Sequence, residues 1–222
     1  MVSGFTNGLI SMPHLSKKFA VTAFALLSTT AQVPVQAQER LPTIAPSSYS
    51  AEQKQAAADF EAARKTPVFG PFEPLMYSPQ MMSQARAMGD YLRYKSAIGS
   101  TLSELAFLIT AREWTQDYEW YVHHPIALKA GIKPAITQAI ADGRRPEGMS
   151  DDEEIVYEFS TELHRTKRVS DPTFNRAEKR FGKQGVVDLT GINAYYTLLA
   201  MQLNMAQYSL PKDGKKLERF PR

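Results

Sequence analysis

Residues 101–131 read TLSELAFLITAREWTQDYEWYVHHPIALKAG, and this stretch decides the fold class. Thr101 to Glu104 has the T-x-x-E form of a capping box, in which a hydroxyl and a carboxylate close the first turn of a helix against backbone amides. Leu105, Leu108, Ile109 and Arg112 follow at helical spacing. A second helix is predicted from about Tyr118 to Ala130, with Gly131 placed to end it.

The same signals recur on both sides. Ser50 precedes an alanine-rich helix over 51–64, and the stretch from Thr66 to Tyr77, with Pro67, Gly70, Pro71 and Pro74, forbids a regular element. Ser78-Pro79 starts a helix whose Met81, Ala85, Met88 and Leu92 suggest one buried face, ended by Gly99; a methionine stripe at this spacing is core filling, not a copper site. Pro134 opens a short helix to Ala141. Ser150 to Glu153 is another capping box, with acidic residues leading and His164, Arg165, Lys167 and Arg168 closing, so His164 reads as a solvated residue in a charged last turn. Asp171-Pro172 starts a helix to about Phe181. Val186 to Tyr208 is long and apolar nearly all round, which buries it in the domain or against another subunit. No strand is expected, and the fold class is all-α: a single helical domain of about six to eight helices.

The N-terminus differs from the rest. Lys17 and Lys18 precede an apolar run from Phe19 to Leu27, and Val35-Gln36-Ala37 is an acceptable signal-peptidase site, so residues 1–37 are expected to be a secretory signal and the protein exported, to the periplasm. The run is too short to remain as a stable membrane anchor. Its removal takes two lysines and no acid, leaving the chain near neutrality, and its basic isoelectric point is then no sign of nucleic-acid binding. Residues 38–65 form a lead-in and first helix, 66–210 the main domain and 211–222 a tail. The chain has no cysteine, which excludes disulfides, thiolate metal sites and thiol nucleophiles.

Ionisable and aromatic side chains are densest between Glu104 and His124. Glu119 and His123, one helical turn apart, share a face on which a carboxylate can orient an imidazole and tune it as a proton carrier; His124 points about 100° away. The pair is ligand-competent, but H-E-x-x-H is absent and no metal is expected. Trp114, Tyr118, Trp120 and Tyr121 could wall a pocket for a ring-shaped substrate or simply serve as core.

Glu119-Trp120-Tyr121-Val122-His123, followed by Ala127 and Gly131, resembles the E-W-x-x-H, Ala, Gly pattern of the carboxymuconolactone decarboxylase family, within the alkylhydroperoxidase D-like superfamily. Glu104, 19 residues before His123, matches the separation of that superfamily's functional glutamate and histidine, and Gly70-Pro71 with Ser78-Pro79 fit its lead-in. The resemblance covers roughly residues 66–208. Where the redox branch carries a C-x-x-C pair this chain has Gln116 and Glu119, so thiol peroxidase chemistry is excluded here.

The resemblance implies a cofactor-free lyase or proton-transfer enzyme acting on a small carboxylated or lactone-like compound, assembled as a ring-like homo-oligomer, a trimer or hexamer. On this reading Glu104, His123 and Glu119 are catalytic: His123 relays the proton, Glu104 faces it from the neighbouring helix, and Glu119 orients it. Trp120 lines the pocket, and Arg112 or His124 holds the substrate carboxylate. A lactone hydrolase or isomerase on the same residues, and a non-catalytic exported ligand-binding oligomer, remain open alternatives.

Overall fold

The computed structural model describes residues 39–220. The segment read as a secretory signal lies outside the described residues. Among these residues the regular structure is helical throughout: a short 3-10 turn (Pro46–Ser48), then α1 (Ala51–Arg64), α2 (Phe72–Leu75), α3 (Pro79–Tyr94), α4 (Ser100–Glu113), α5 (Asp117–Lys129), α6 (Pro134–Ala141), α7 (Asp151–Thr166) and α8 (Asp171–Ala206). Gly182, with φ 71° and ψ 176°, breaks α8 in two between Phe181 and Val186, the gap expected from the sequence.

The centre of the domain is α4. Every residue from Ser103 to Arg112 is buried, and a helix with no solvent face must be surrounded by others. It packs against α5, α7 and α8. The turn over Trp114–Gln116, with Thr115 at φ 47°, sends α5 back along α4. Residues at similar distances from that turn therefore face each other, which brings Glu104 beside His123. The second half of α8 buries Leu189, Ile192, Tyr196, Leu199 and Leu203, but Val187, Met201 and Met205 are exposed, so its apolar surround is only partly core.

Several local expectations are corrected. The capping boxes at Ser50/Gln53 and Ser150/Glu153 both form, but the one at Thr101/Glu104 does not. Gly99, at φ 82°, starts the helix at Ser100, which puts Thr101 inside it rather than at its cap. The Thr101 hydroxyl donates instead to the Ala130 carbonyl at 3.1 Å, tying the two ends of the hairpin together. The buried stripe of α3 is Met82, Ala85, Gly89 and Leu92, whereas Met88 faces out. The proline-rich stretch after α1 contains the single-turn α2, whose Pro74 falls in a first turn where the missing N–H costs no helical bond.

The ends of the described chain are folded onto the domain. The Arg40 amide donates to the Ala206 carbonyl at 2.8 Å, the Ser209 amide to the Glu39 carboxylate at 2.8 Å, and the Tyr77 hydroxyl to the Pro42 carbonyl at 2.9 Å. Ordered structure therefore begins before Ser50. In the tail, Leu217 is buried and its amide donates to Asp117 at 2.9 Å, and Arg219 pairs with the same carboxylate.

Candidate active site

Glu104 on α4 and His123 and Glu119 on α5 form one buried line. Glu104 Oε2 lies 2.7 Å from His123 Nδ1, and Glu119 Oε2 lies 3.5 Å from His123 Nε2. All three residues are at most 6% exposed. An ionised carboxylate only accepts, so with Glu104 charged the ring hydrogen sits on Nδ1 and the Nε2 lone pair faces Glu119. The ring cannot rotate freely. Phe107 and Tyr196 stack on each other with centroids 3.8 Å apart, and the imidazole meets both edge-on, at 4.9 and 5.0 Å.

Burial pushes the Glu119 carboxyl above the usual carboxylate range, the His123 and Arg93 charges pull it down, and Glu104 raises it; the net direction is upward. Its Oε1 is buried with no hydrogen-bond partner among the described residues. Burial favours the neutral acid form of such a group, and in that form Oε2, 3.5 Å from Nε2, has the imidazole lone pair as its nearest proton acceptor. The arrangement can carry a proton between Glu119 and the imidazole while Glu104 stabilises the imidazolium from behind.

Glu119 and His123 border a cavity of about 30 Å³, walled also by Arg93, Tyr118, Tyr196 and Leu199. That volume holds a water or a small reacting group, not a whole lactone. Burial, followed by the charges of Glu119 and Glu73 and by Tyr121, pushes the Tyr118 phenol up to about 12, so it enters the cavity wall as a neutral hydroxyl. Gly70, at φ 56°, admits this ring: a Cβ there would come 2.6 Å from the Tyr118 oxygen.

Other residues singled out from the sequence lie elsewhere. Arg112, expected to hold a substrate carboxylate, donates to the carbonyls of Ala141 (3.1 Å) and Glu218 (2.9 Å) and to Thr115 Oγ1 (2.8 Å), and covers the Phe220 ring. It fastens the tail and does not border the cavity. His124 Nε2 lies 3.1 Å from the Thr137 hydroxyl, and its ring stacks on Trp120; neither side chain borders the cavity at His123. Trp114 Nε1 donates to Thr197, and Tyr121 reaches towards Asp213. Of the four aromatic residues expected around a pocket, only Tyr118 borders this one. Arg93, Tyr195 and Tyr196 were not anticipated, because only long-range packing brings α3 and α8 to α5.

His164 is also corrected. It is turned inward, with Nε2 3.0 Å from Thr110 Oγ1, in a network where Asn193 donates to Ser160. Burial, the largest cause, lowers its pKa despite Glu113 and Asn193, and burial lowers that of His124 too. A folded-state pKa below the unfolded 6.5 means the unfolded chain takes the proton first as pH falls. The stability held by these neutral rings is complete above 6.5 and is lost as pH drops towards their folded values. Glu119 acts oppositely, since its raised pKa costs stability as pH rises through the folded value. The urea midpoint of His164→Gln is therefore expected to fall less than that of the unaltered protein between about pH 7.5 and 5.5; equal slopes would show that His164 does not titrate with folding.

No protein-family model and no curated protein sequence matches the chain. Its architecture is that of the alkylhydroperoxidase D-like fold. It is similar to the crystal structure of an alkylhydroperoxidase AhpD core, an uncharacterized peroxidase-related protein from Ralstonia eutropha, with a TM-score of 0.64 and 14% sequence identity, over 80% of this chain and 95% of that one. At that identity the likeness is one of fold. This chain has no thiol for such chemistry. Gln116 instead caps α5 through the Tyr118 amide and donates to Asn204, while Glu119 faces the cavity.

Proposed function

We propose that this protein is an exported, cofactor-free acid–base enzyme, a lyase acting on a small carboxylated or lactone-like compound. The observation that carries the reading is the buried line Glu104–His123–Glu119 ending at a cavity. In decarboxylation of a γ-lactone acid the C–CO₂ bond breaks, its electron pair passes into a conjugated enolate, and carbon dioxide leaves. The enolate carbon then takes a proton. Glu119 in its acid form gives that proton and regains one from water through Nε2 of His123, so that each turnover takes up one solvent proton; Glu104 is the positioning residue that fixes the ring and balances its charge. Aromatic and aliphatic walls desolvate the departing carboxylate. Glu119 thereby takes the donor's place in the cavity, and orientation of the ring passes to Glu104.

The test is turnover of a panel of carboxylated γ-lactones, following carbon dioxide release and ring opening, beside His123→Ala and His123→Gln. Carbon dioxide release lost in both variants supports the lyase. Ring opening alone would mean a hydrolase, and no turnover on a broad panel would leave a ligand-binding protein.

A further inference from the structure

We infer that Arg93 is the receptor for a carboxylate that the substrate keeps, distinct from any that leaves as carbon dioxide, and that the open cleft outside it, between the end of α1 and the end of α3, is where a small aromatic or otherwise flat carboxylic acid enters and seats. The inference rests on the acid–base reading of the site and deepens it by assigning the substrate's charge and orientation.

Arg93 stands in the last turn of α3, in the wall between two spaces. On one side is the small cavity at His123; on the other is a cleft of about 380 Å³ bordered by Arg64, Phe69, Asp90, Tyr94 and Lys95. Arg64 and Phe69 also border both. The inner space is too small for a substrate, while the outer one falls within the usual range for small-molecule sites. A ligand body in the cleft can thus send only its reacting end past Arg93 to His123.

The guanidinium is unspent. Its Nη2 is 3.9 Å from Glu104 Oε1, its face is 5.4 Å from the Tyr94 ring, and among the described residues it donates no hydrogen bond. Its side chain is 19% exposed. A guanidinium carries five N–H donors in a fork that fits a carboxylate, and charge-assisted pairs close to about 2.7–2.9 Å when both partners are committed. Glu104 is not so committed, because its short bond goes to His123. Arg64 differs: its Nε donates to Asp90 at 2.9 Å and its face lies over Phe60 and Phe72.

Charge in the cleft favours an anion. Among the described residues Asp90 is its one acidic wall residue and is shared between Arg64 and Arg86, whereas Arg93 and Lys95 have no such carboxylate in close contact there. Phe69 and Tyr94 supply flat apolar surface. A planar acid has its ring between aromatic walls and its carboxylate on the Arg93 fork, with Glu119 and His123 just beyond.

The experiment is calorimetric titration with benzoate and with benzamide, its neutral near-isostere, on the unaltered protein and on Arg93→Lys, Arg93→Gln and His123→Gln, with melting curves to establish that each is folded. Benzoate is expected to bind at least about 10-fold tighter than benzamide, and this preference to vanish in Arg93→Gln, to be intermediate in Arg93→Lys, which keeps charge but loses the fork, and to survive in His123→Gln. Equal affinity for both probes, no benzoate binding at millimolar concentration, or a preference undiminished in Arg93→Gln would each overturn the inference. Binding and turnover fail separately. An Arg93-dependent preference with no lactone turned over sinks the lyase reading and keeps the receptor; turnover of a lactone acid with KM unchanged in Arg93→Gln does the reverse.

Discussion

Glu119→Gln is expected to lower turnover by about 10²–10⁴-fold, the usual contribution of a positioned general acid, while leaving the protein as stable as before or more so near neutral pH. The two halves of this result have one cause. Burial favours the neutral carboxyl of Glu119, and a glutamine offers the same shape without a charge to desolvate, so folding loses nothing. The amide cannot give up a proton to His123 or to a substrate, so chemistry loses its donor.

Glu104→Gln separates the two carboxylates. Its Oε2 makes the 2.7 Å bond to Nδ1 and its other oxygen faces Arg93. A glutamine there can donate to Nδ1 and so turn the imidazole to its other tautomer, with the hydrogen on Nε2, and it leaves Arg93 without its nearby charge. Both turnover and stability should fall, the latter by roughly 1–3 kcal/mol, as for a buried partner removed. Urea denaturation, with ¹⁵N shifts of the His123 ring to read the tautomer, checks this. A Glu119→Gln protein that keeps full turnover, or loses as much stability as Glu104→Gln, would remove Glu119 from the donor's role.

The sequence made part of this geometry legible and hid the rest for identifiable reasons. Four-residue spacing alone puts Glu119 and His123 on one face. Glu104 has two local meanings, a capping partner for Thr101 or a partner for His123, and local pattern favours the first; Gly99 decides against it by starting the helix at Ser100. Arg112 and Arg93 are alike in sequence, each a cation near the end of a predicted helix. Only the tail folding back over Arg112, with no such strap over Arg93 among the described residues, separates them. The stripe of α3 was ambiguous in the same way, since two faces one residue apart both present large apolar side chains. The ring that chooses between them comes from far along the chain, on α8.

That ring supports the second large effect: Gly89→Ala should destabilise the protein by about 1–3 kcal/mol, although the same change in an ordinary helix interior stabilises by roughly 1 kcal/mol. Gly89 lies in the middle of α3, and a Cβ there would come 2.6 Å from Cζ of Tyr195. Tyr195 is among the largest fully buried side chains, so its ring can yield to a methyl at Gly89 only by moving against packed neighbours or into the small cavity it borders. Its hydroxyl finds no hydrogen-bond partner among the described residues, and burial holds its pKa well above the ordinary phenol value. Removing an unpaired buried hydroxyl relieves a desolvation cost, so Tyr195→Phe alone should be neutral or stabilising. The double variant should recover part of the Gly89→Ala loss but not all, because the ring carbon stays in the way. Urea denaturation of the four proteins measures the coupling directly. Additive effects, or a Gly89→Ala protein more stable than its parent, would mean that the ring is not seated against Gly89, and the cavity wall that Tyr195 helps to form would have to be redrawn with it.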